Sequence, residues 1–117
     1  MLNKVRRGRD YESQAAKFLA RSGLIVLERN WFYQHHGELD IIAFEPGVES
    51  LIFVEVRSQN TFWLDSSQII SIRKLLRLKR LVHYWLRAHR LARFDLQTRL
   101  DLVVINVQGI SWYKAIG

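Results

Sequence analysis

Apolar residues recur along the chain with two periods, and each change of period marks an element. Tyr11, Ala15, Phe18 and Leu19 fall at helical spacing. They predict a helix over residues 10–21, with Asp10 as its N-cap and Gly23 ending it. Residues 24–27 read as a strand, and residues 31–33 either continue it or form a second short one. Residues 38–44 and 51–57 are dense in branched and aromatic side chains and flank Pro46-Gly47, which predicts two strands around a turn. A long helix is expected from Ser66 or Ser67 to Ala88, with Ser and Asp available as caps. Its apolar positions include Ile69, Ile72, Leu75, Leu76, Val82 and Leu86. Strands over 102–107 and 110–113, with a turn at Gly109, complete the chain. This order describes an α/β fold, a central mixed β-sheet flanked by helices on both faces.

Composition sharpens the picture. A length of 117 residues suits a single domain over 1–117, with residues 1–9 as a basic arm ahead of the first helix. That arm either clasps a ligand or is flexible. With no cysteine, disulfides and thiolate zinc sites are excluded. The basic start is not followed by an apolar run, so it does not read as a secretory signal. No apolar stretch has the length of a membrane span, and the reading is a cytoplasmic protein without a membrane partner.

The net charge of +7 is unevenly spread. Residues 1–9 carry Lys4, Arg6, Arg7 and Arg9 without an acid, and residues 66–93 carry eight more Lys and Arg without an acid. Arg73, Arg77 and Arg80 share one helical face, with Lys74 beside them. Such a surface suits a polyanion held by its phosphates, so Arg6, Arg7, Arg9, Arg73, Lys74, Arg77 and Arg80 are candidate nucleic-acid contacts. A solvated basic face is the plainer alternative.

The acids suggest chemistry. If residues 38–44 and 51–57 pair around the turn, Phe44 faces Leu51, Ile42 faces Phe53, Asp40 faces Glu55 and Glu38 faces Arg57. Strand alternation then gathers Glu38, Asp40, Glu55 and Arg57 at one end of one face, and leaves Leu39, Ile41, Ala43, Ile52, Val54 and Val56 on the other. Opposed carboxylates about 5 Å apart repel unless a positive group lies between them. Arg57 can be that group in a salt-bridge network. A divalent cation can be too, with a carbonyl such as that of Val56 and waters completing an octahedral shell. The pattern leaves both open.

These residues resemble the YraN-like family of small bacterial proteins. The resemblance runs through Gly8, Glu12, Ala15 and Leu19, then Arg29-Asn30, Gly37-Glu38-Leu39-Asp40, Phe53-Val54-Glu55-Val56-Arg57, Lys74, and Arg99-Leu100-Asp101 leading into Leu102-Val103-Val104. It implies a restriction-endonuclease-like fold related to archaeal Holliday junction resolvases, and possible homodimers. It implies a site in which Glu12, Asp40 and Glu55 bind Mg2+ or Mn2+. Arg57 stands where those nucleases carry lysine. Arginine stays protonated and cannot act as a base, but it can stabilise phosphate charge. Lys74 is the alternative cation, so the catalytic candidates are Glu12, Asp40, Glu55, Arg57 and Lys74.

Other residues are less specific. Residues 61–65 depart from the resemblance, and Trp63 there is either a base-stacking or a packing aromatic. Arg93-Phe94-Asp95 duplicates the late Arg-x-Asp pattern, but Arg99-Leu100-Asp101 leads directly into a strand and is preferred. His35 and His36 sit in a polar loop, and His83 and His89 lie on the long helix without an acid near them in sequence. Three functions remain: a metal-dependent endonuclease acting on branched or single-stranded DNA, a nucleic-acid-binding module that cuts poorly or not at all, or an adaptor docking through Trp63, Trp85 and Trp112.

Overall fold

The computed structural model describes the backbone of residues 2–59 and 70–117, and the side chains from residue 10 onward within those ranges. Helix α1 spans Leu2–Arg21, followed by β1 (Ile25–Tyr33), β2 (Gly37–Glu45), β3 (Ser50–Ser58), helix α2 (Ile72–Ala88), β4 (Gln97–Asn106) and β5 (Gly109–Tyr113). The five strands form one mixed sheet in the order β1-β2-β3-β4-β5. Only β3 and β4 run parallel, joined by the crossover that carries α2. No helix among the described residues is long and apolar enough to cross a membrane.

The helices cover opposite faces. Ala15 and Leu19 of α1 pack on Ile41, Ala43, Ile52, Val54, Val103 and Ile105. Leu78, Leu81 and Trp85 of α2 pack on Ile42, Leu51, Phe53 and Leu100. Strands β3 and β4 are covered on both sides, which is why they read as nearly continuous apolar runs.

Several boundaries differ from the sequence expectation. Helix α1 begins at Leu2, so Asp10 lies within it, exposed, and does not cap it. Helix α2 begins at Ile72, and its cap is Ser71, which accepts from the Lys74 amide at 3.1 Å. The expected start at Ser66 or Ser67, together with Ile69 and the 61–65 loop with Trp63, lies outside the described residues. Ile72 and Leu76, expected on the apolar face, are 77% and 52% exposed. At about 100° per residue both lie well over 100° around the helix from Leu78, so the Leu78–Leu81–Trp85 stripe takes the sheet instead. Strand β1 is continuous through Tyr33, accommodating a register shift between Val26 and Glu28 and a left-handed Asn30 at φ 55°. Strand β4 starts at Gln97, where its polar residues pair with the first residues of β3.

The hairpin register is as expected near its turn, where Phe44 pairs with Leu51 and Ile42 with Phe53. It departs at the site. The ladder stops at Ile41–Val54. Leu39 packs against α2 while Ile41 packs against α1, although residues two apart on a regular strand share a face. Alternation is therefore broken around Asp40, and of the expected patch Glu38, Asp40 and Glu55 still line one cleft, whereas Arg57 is not among its lining residues.

Candidate functional site

Where the ladder ends, a cleft of about 330 Å³ opens. Glu12 of α1, Glu38 and Asp40 of β2, and Glu55 of β3 line it, with Lys74, Arg77 and Leu78 of α2 on the other side. Strands that keep pairing leave no such space. Asp40 replaces the missing ladder bond with its side chain, because Oδ2 accepts the Val56 amide at 2.8 Å. The Val56 backbone thus contributes its N–H to Asp40.

Carboxylate oxygens of Glu12, Glu38 and Asp40 all lie within 4.8 Å of one another. Asn30 holds two of them. With its amide nitrogen turned to the acids, it donates to Glu38 Oε1 at 2.9 Å and to Glu12 Oε2. The left-handed backbone at Asn30 is common for Asn and costly for most other residues. The neighbouring Arg29 donates to Ser13 Oγ at 3.0 Å, tying β1 to α1 next to Glu12. Glu55 is buried at 7% exposure and pairs with Lys74, whose Nζ is 3.2 Å from Glu55 Oε2.

Crowded acids in a partly buried cleft resist ionisation. The Asp40 carboxyl is pushed up from its ordinary 3.8 to about 9, first by burial, then by its hydrogen bond to Glu55 and the charges of Glu55 and Glu12. The Val56 amide opposes this shift. Burial and the acidic neighbours thus favour the protonated form of Asp40. Four carboxyl groups and the absence of soft ligands suit a hard cation such as Mg2+ or Mn2+.

The residues proposed from sequence are only partly brought together. Glu12, Asp40, Glu55 and Lys74 meet in the cleft. Among the described residues, the acids whose oxygens all lie within mutual reach are Glu12, Glu38 and Asp40, and Glu55 lines the same cleft. Arg57 is half-buried, and its Nε has no hydrogen-bond partner among the described residues. The described ion pair to Glu55 comes from Lys74. Arg73, Arg77 and Arg80 are exposed on α2, whereas the side chains of Arg6, Arg7 and Arg9 lie outside the described residues. Asn30 was part of the resemblance, but no sequence signal assigned it a role.

The late Arg-x-Asp motif is architectural. Asp101 is fully buried and accepts from Arg99 Nε, Arg99 Nη2, Trp112 Nε1 and the Ala115 amide, each at 2.9 Å. Arg99 also reaches Glu45 Oε1 at 2.8 Å, clamping β4 to β2 across β3. Arg93, Phe94 and Asp95 are exposed. Trp85, offered as a docking residue, is only 4% exposed, and its Nε1 donates to Glu28 at 2.9 Å. Trp112 packs against the α1-side core. His89, which has no acid near it in sequence, lies 3.4 Å from the same Glu28 oxygen.

Among the described residues, the fold and its cleft define an α/β protein with a five-stranded mixed sheet, two covering helices and an acidic cleft where the ladder of the central hairpin ends. Comparison with known proteins then places the chain. It belongs to the uncharacterised protein family UPF0102, whose model matches residues 11–105. It is 35% identical over 115 residues to a UPF0102 protein of Aliivibrio fischeri (strain MJ11), covering 96% of this chain and 91% of that protein. It is 36% identical over 118 residues to one of Pseudoalteromonas translucida (97% and 92% covered). It is also 36% identical over 104 residues to one of Tropheryma whipplei (89% and 84% covered).

Proposed function

We propose that this protein is a metal-dependent, nuclease-like enzyme on a restriction-endonuclease-like fold, acting on nucleic acid. The observation that carries the reading is the meeting of Glu12, Glu38 and Asp40 oxygens within 4.8 Å, beside the ion pair of Glu55 with the partly exposed Lys74. Glu12, Glu38 and Asp40 are the residues that would hold Mg2+ or Mn2+, with Glu55 next to them. The ion would supply positive charge to the phosphoryl oxygens and acidify the attacking water.

The chain's own residues do the rest. Asn30 and the Val56 amide orient the acids. Lys74, held by Glu55, and Arg77 put cationic charge on the wall that a phosphate would face. Water attacks phosphorus and gives up a proton, the bond to the leaving oxygen breaks, and that oxygen takes up a proton, so that water's OH ends on phosphorus and its H on the leaving group. Branched, flapped and single-stranded DNA are the substrates to test with Mg2+ or Mn2+. Cleavage should appear and should vanish in Asp40→Ala and Glu55→Ala. Activity that survives both substitutions refutes the site.

A second reading, a binding module that does not cut, rests on Arg57 in place of a titratable lysine. Salt-dependent DNA binding that is indifferent to chelator and to Asp40→Ala selects it.

A further inference from the structure

Beside the acidic cleft stands a group of rings that the cleft chemistry does not use. Tyr33, at the end of β1, stacks on Tyr84 of α2 with centroids 4.6 Å apart and planes at 19°. His36, in the β1–β2 turn, stacks on Tyr33 at 5.4 Å and 29°, and its ring lies 4.9 Å from that of Tyr84. Trp31 extends the stack at 5.5 Å and 19°.

Trp31, Tyr33 and Tyr84 pack against the α2-side core, but space-filling does not account for His36. His36 is exposed, so its ring adds little to the core. The turn that presents it is held in a demanding conformation: Gln34 is left-handed at φ 44°, Gly37 has φ 116°, and the His36 amide donates to Tyr33 O at 2.9 Å.

On the α2 side of the rings the charge is basic. Helix α2 carries no acid. Arg77, Arg80 and Tyr84 follow i, i+3, i+7 and share a stripe, which places Tyr84 about 10 Å along the helix axis from Arg77. Arg77 also lines the cleft, and its side chain passes about 4.0 Å from the place a Cβ on Gly37 would occupy. Cleft, arginines and rings therefore form one continuous strip. Exposed like charges in a row repel one another unless an anion lies over them.

We propose that the His36–Tyr33–Tyr84 stack is a platform for an unpaired nucleobase, with the adjoining phosphates on Arg77 and Arg80 and the chain leading into the acidic cleft. Aromatic stacking tolerates any base, whereas a paired base offers no free face, so the platform selects unpaired over duplex nucleic acid. The inference rests on the proposed nuclease reading for its substrate class, but it is tested by binding and needs no cleavage.

The test is fluorescence anisotropy in low salt with chelator. A labelled oligothymidine is compared with a blunt duplex of equal length. His36→Ala, Tyr84→Leu and Tyr84→Phe are each checked for native circular dichroism. His36→Ala changes an exposed turn residue, so it keeps the test open should Tyr84→Leu fail to fold. His36→Ala and Tyr84→Leu should weaken oligothymidine binding by about tenfold and leave duplex binding within about twofold, while Tyr84→Phe binds as wild type. The slope of affinity against salt should not change, because no phosphate contact is lost. Unchanged oligothymidine affinity in folded His36→Ala, equal losses on both ligands, or no binding by the wild type overturns the platform. Absence of cleavage with the binding pattern intact overturns the nuclease reading alone. Cleavage with unchanged oligothymidine binding overturns the platform alone.

Discussion

Replacing Asp40 by Asn tests the electrostatics of the cleft directly. Asn is nearly isosteric, its oxygen can accept from the Val56 amide as Oδ2 does, and its nitrogen can donate to Glu55 as the Asp40 proton does. The substitution therefore keeps the contacts and removes the titration. In the folded wild type the Asp40 pKa is about 9 against an ordinary 3.8, so between those values the folded protein holds a proton that the unfolded chain has lost. Stability consequently falls as pH rises through that window, by at most about 1.4 kcal/mol per pH unit. The Asp40→Asn variant has no proton to lose at this position and does not follow this fall. From pH 5 to 8 the stability of the variant relative to wild type should rise by up to about 4 kcal/mol. Relaxation of the open cleft and entry of water bring the expected gain nearer to about 2 kcal/mol. Urea unfolding in EDTA at pH 5, 6, 7 and 8 measures it, and titrations common to both proteins cancel. Adding Mn2+ should stabilise the wild type by mass action and leave the variant nearly unmoved, which narrows or reverses the gap. A difference that stays within about 0.5 kcal/mol across this pH range in EDTA refutes the account of Asp40 as a carboxyl held protonated by burial and by its acidic neighbours.

Three further outcomes are expected. Asp101→Ala leaves Arg99, the Trp112 indole and the Ala115 amide without their acceptor, and should cost about 3–5 kcal/mol in urea unfolding. Lys74→Met should change stability by less than about 1 kcal/mol, because its side chain is 25% exposed, yet lower cleavage by about a hundredfold in single-turnover assays. Gly37→Ala should cost about 1–2 kcal/mol in thermal melts through its φ of 116° alone, since the added methyl meets Leu81 Cδ1 at an ordinary 3.6 Å.

Much of the architecture is legible in the chain because it follows from local periods. The Ala15–Leu19 stripe identifies the buried side of α1. The apolar runs of β2 and β3 and the turn between them determine a register in which Phe44 meets Leu51 and Ile42 meets Phe53. Asp40 and Glu55 are visible from strand pairing, which sets them opposite one another, whereas Glu12 is visible only through resemblance to the YraN-like motifs, since no local period links a residue of the first helix to two strands.

The tertiary structure decided the form of the cleft. Alternation along an ideal strand sets Asp40 squarely against Glu55, but the ladder ends one pair earlier, and Leu39 and Ile41 pack on opposite faces. The break goes with a left-handed Asn30 on the neighbouring strand and with the Asp40–Val56 bond, neither of which a two-residue period can encode. It brings Glu38 to Glu12 and Asp40. It is likewise the packing of α2 that makes Lys74 the described partner of Glu55, and that joins Tyr84 to Tyr33 and His89 to Glu28, pairs far apart in the chain. Sequence by itself determined which residues are apolar, which acids are candidates and where the central strands lie. Long-range packing determined which of those acids meet, because the relevant distances run across elements and not along them.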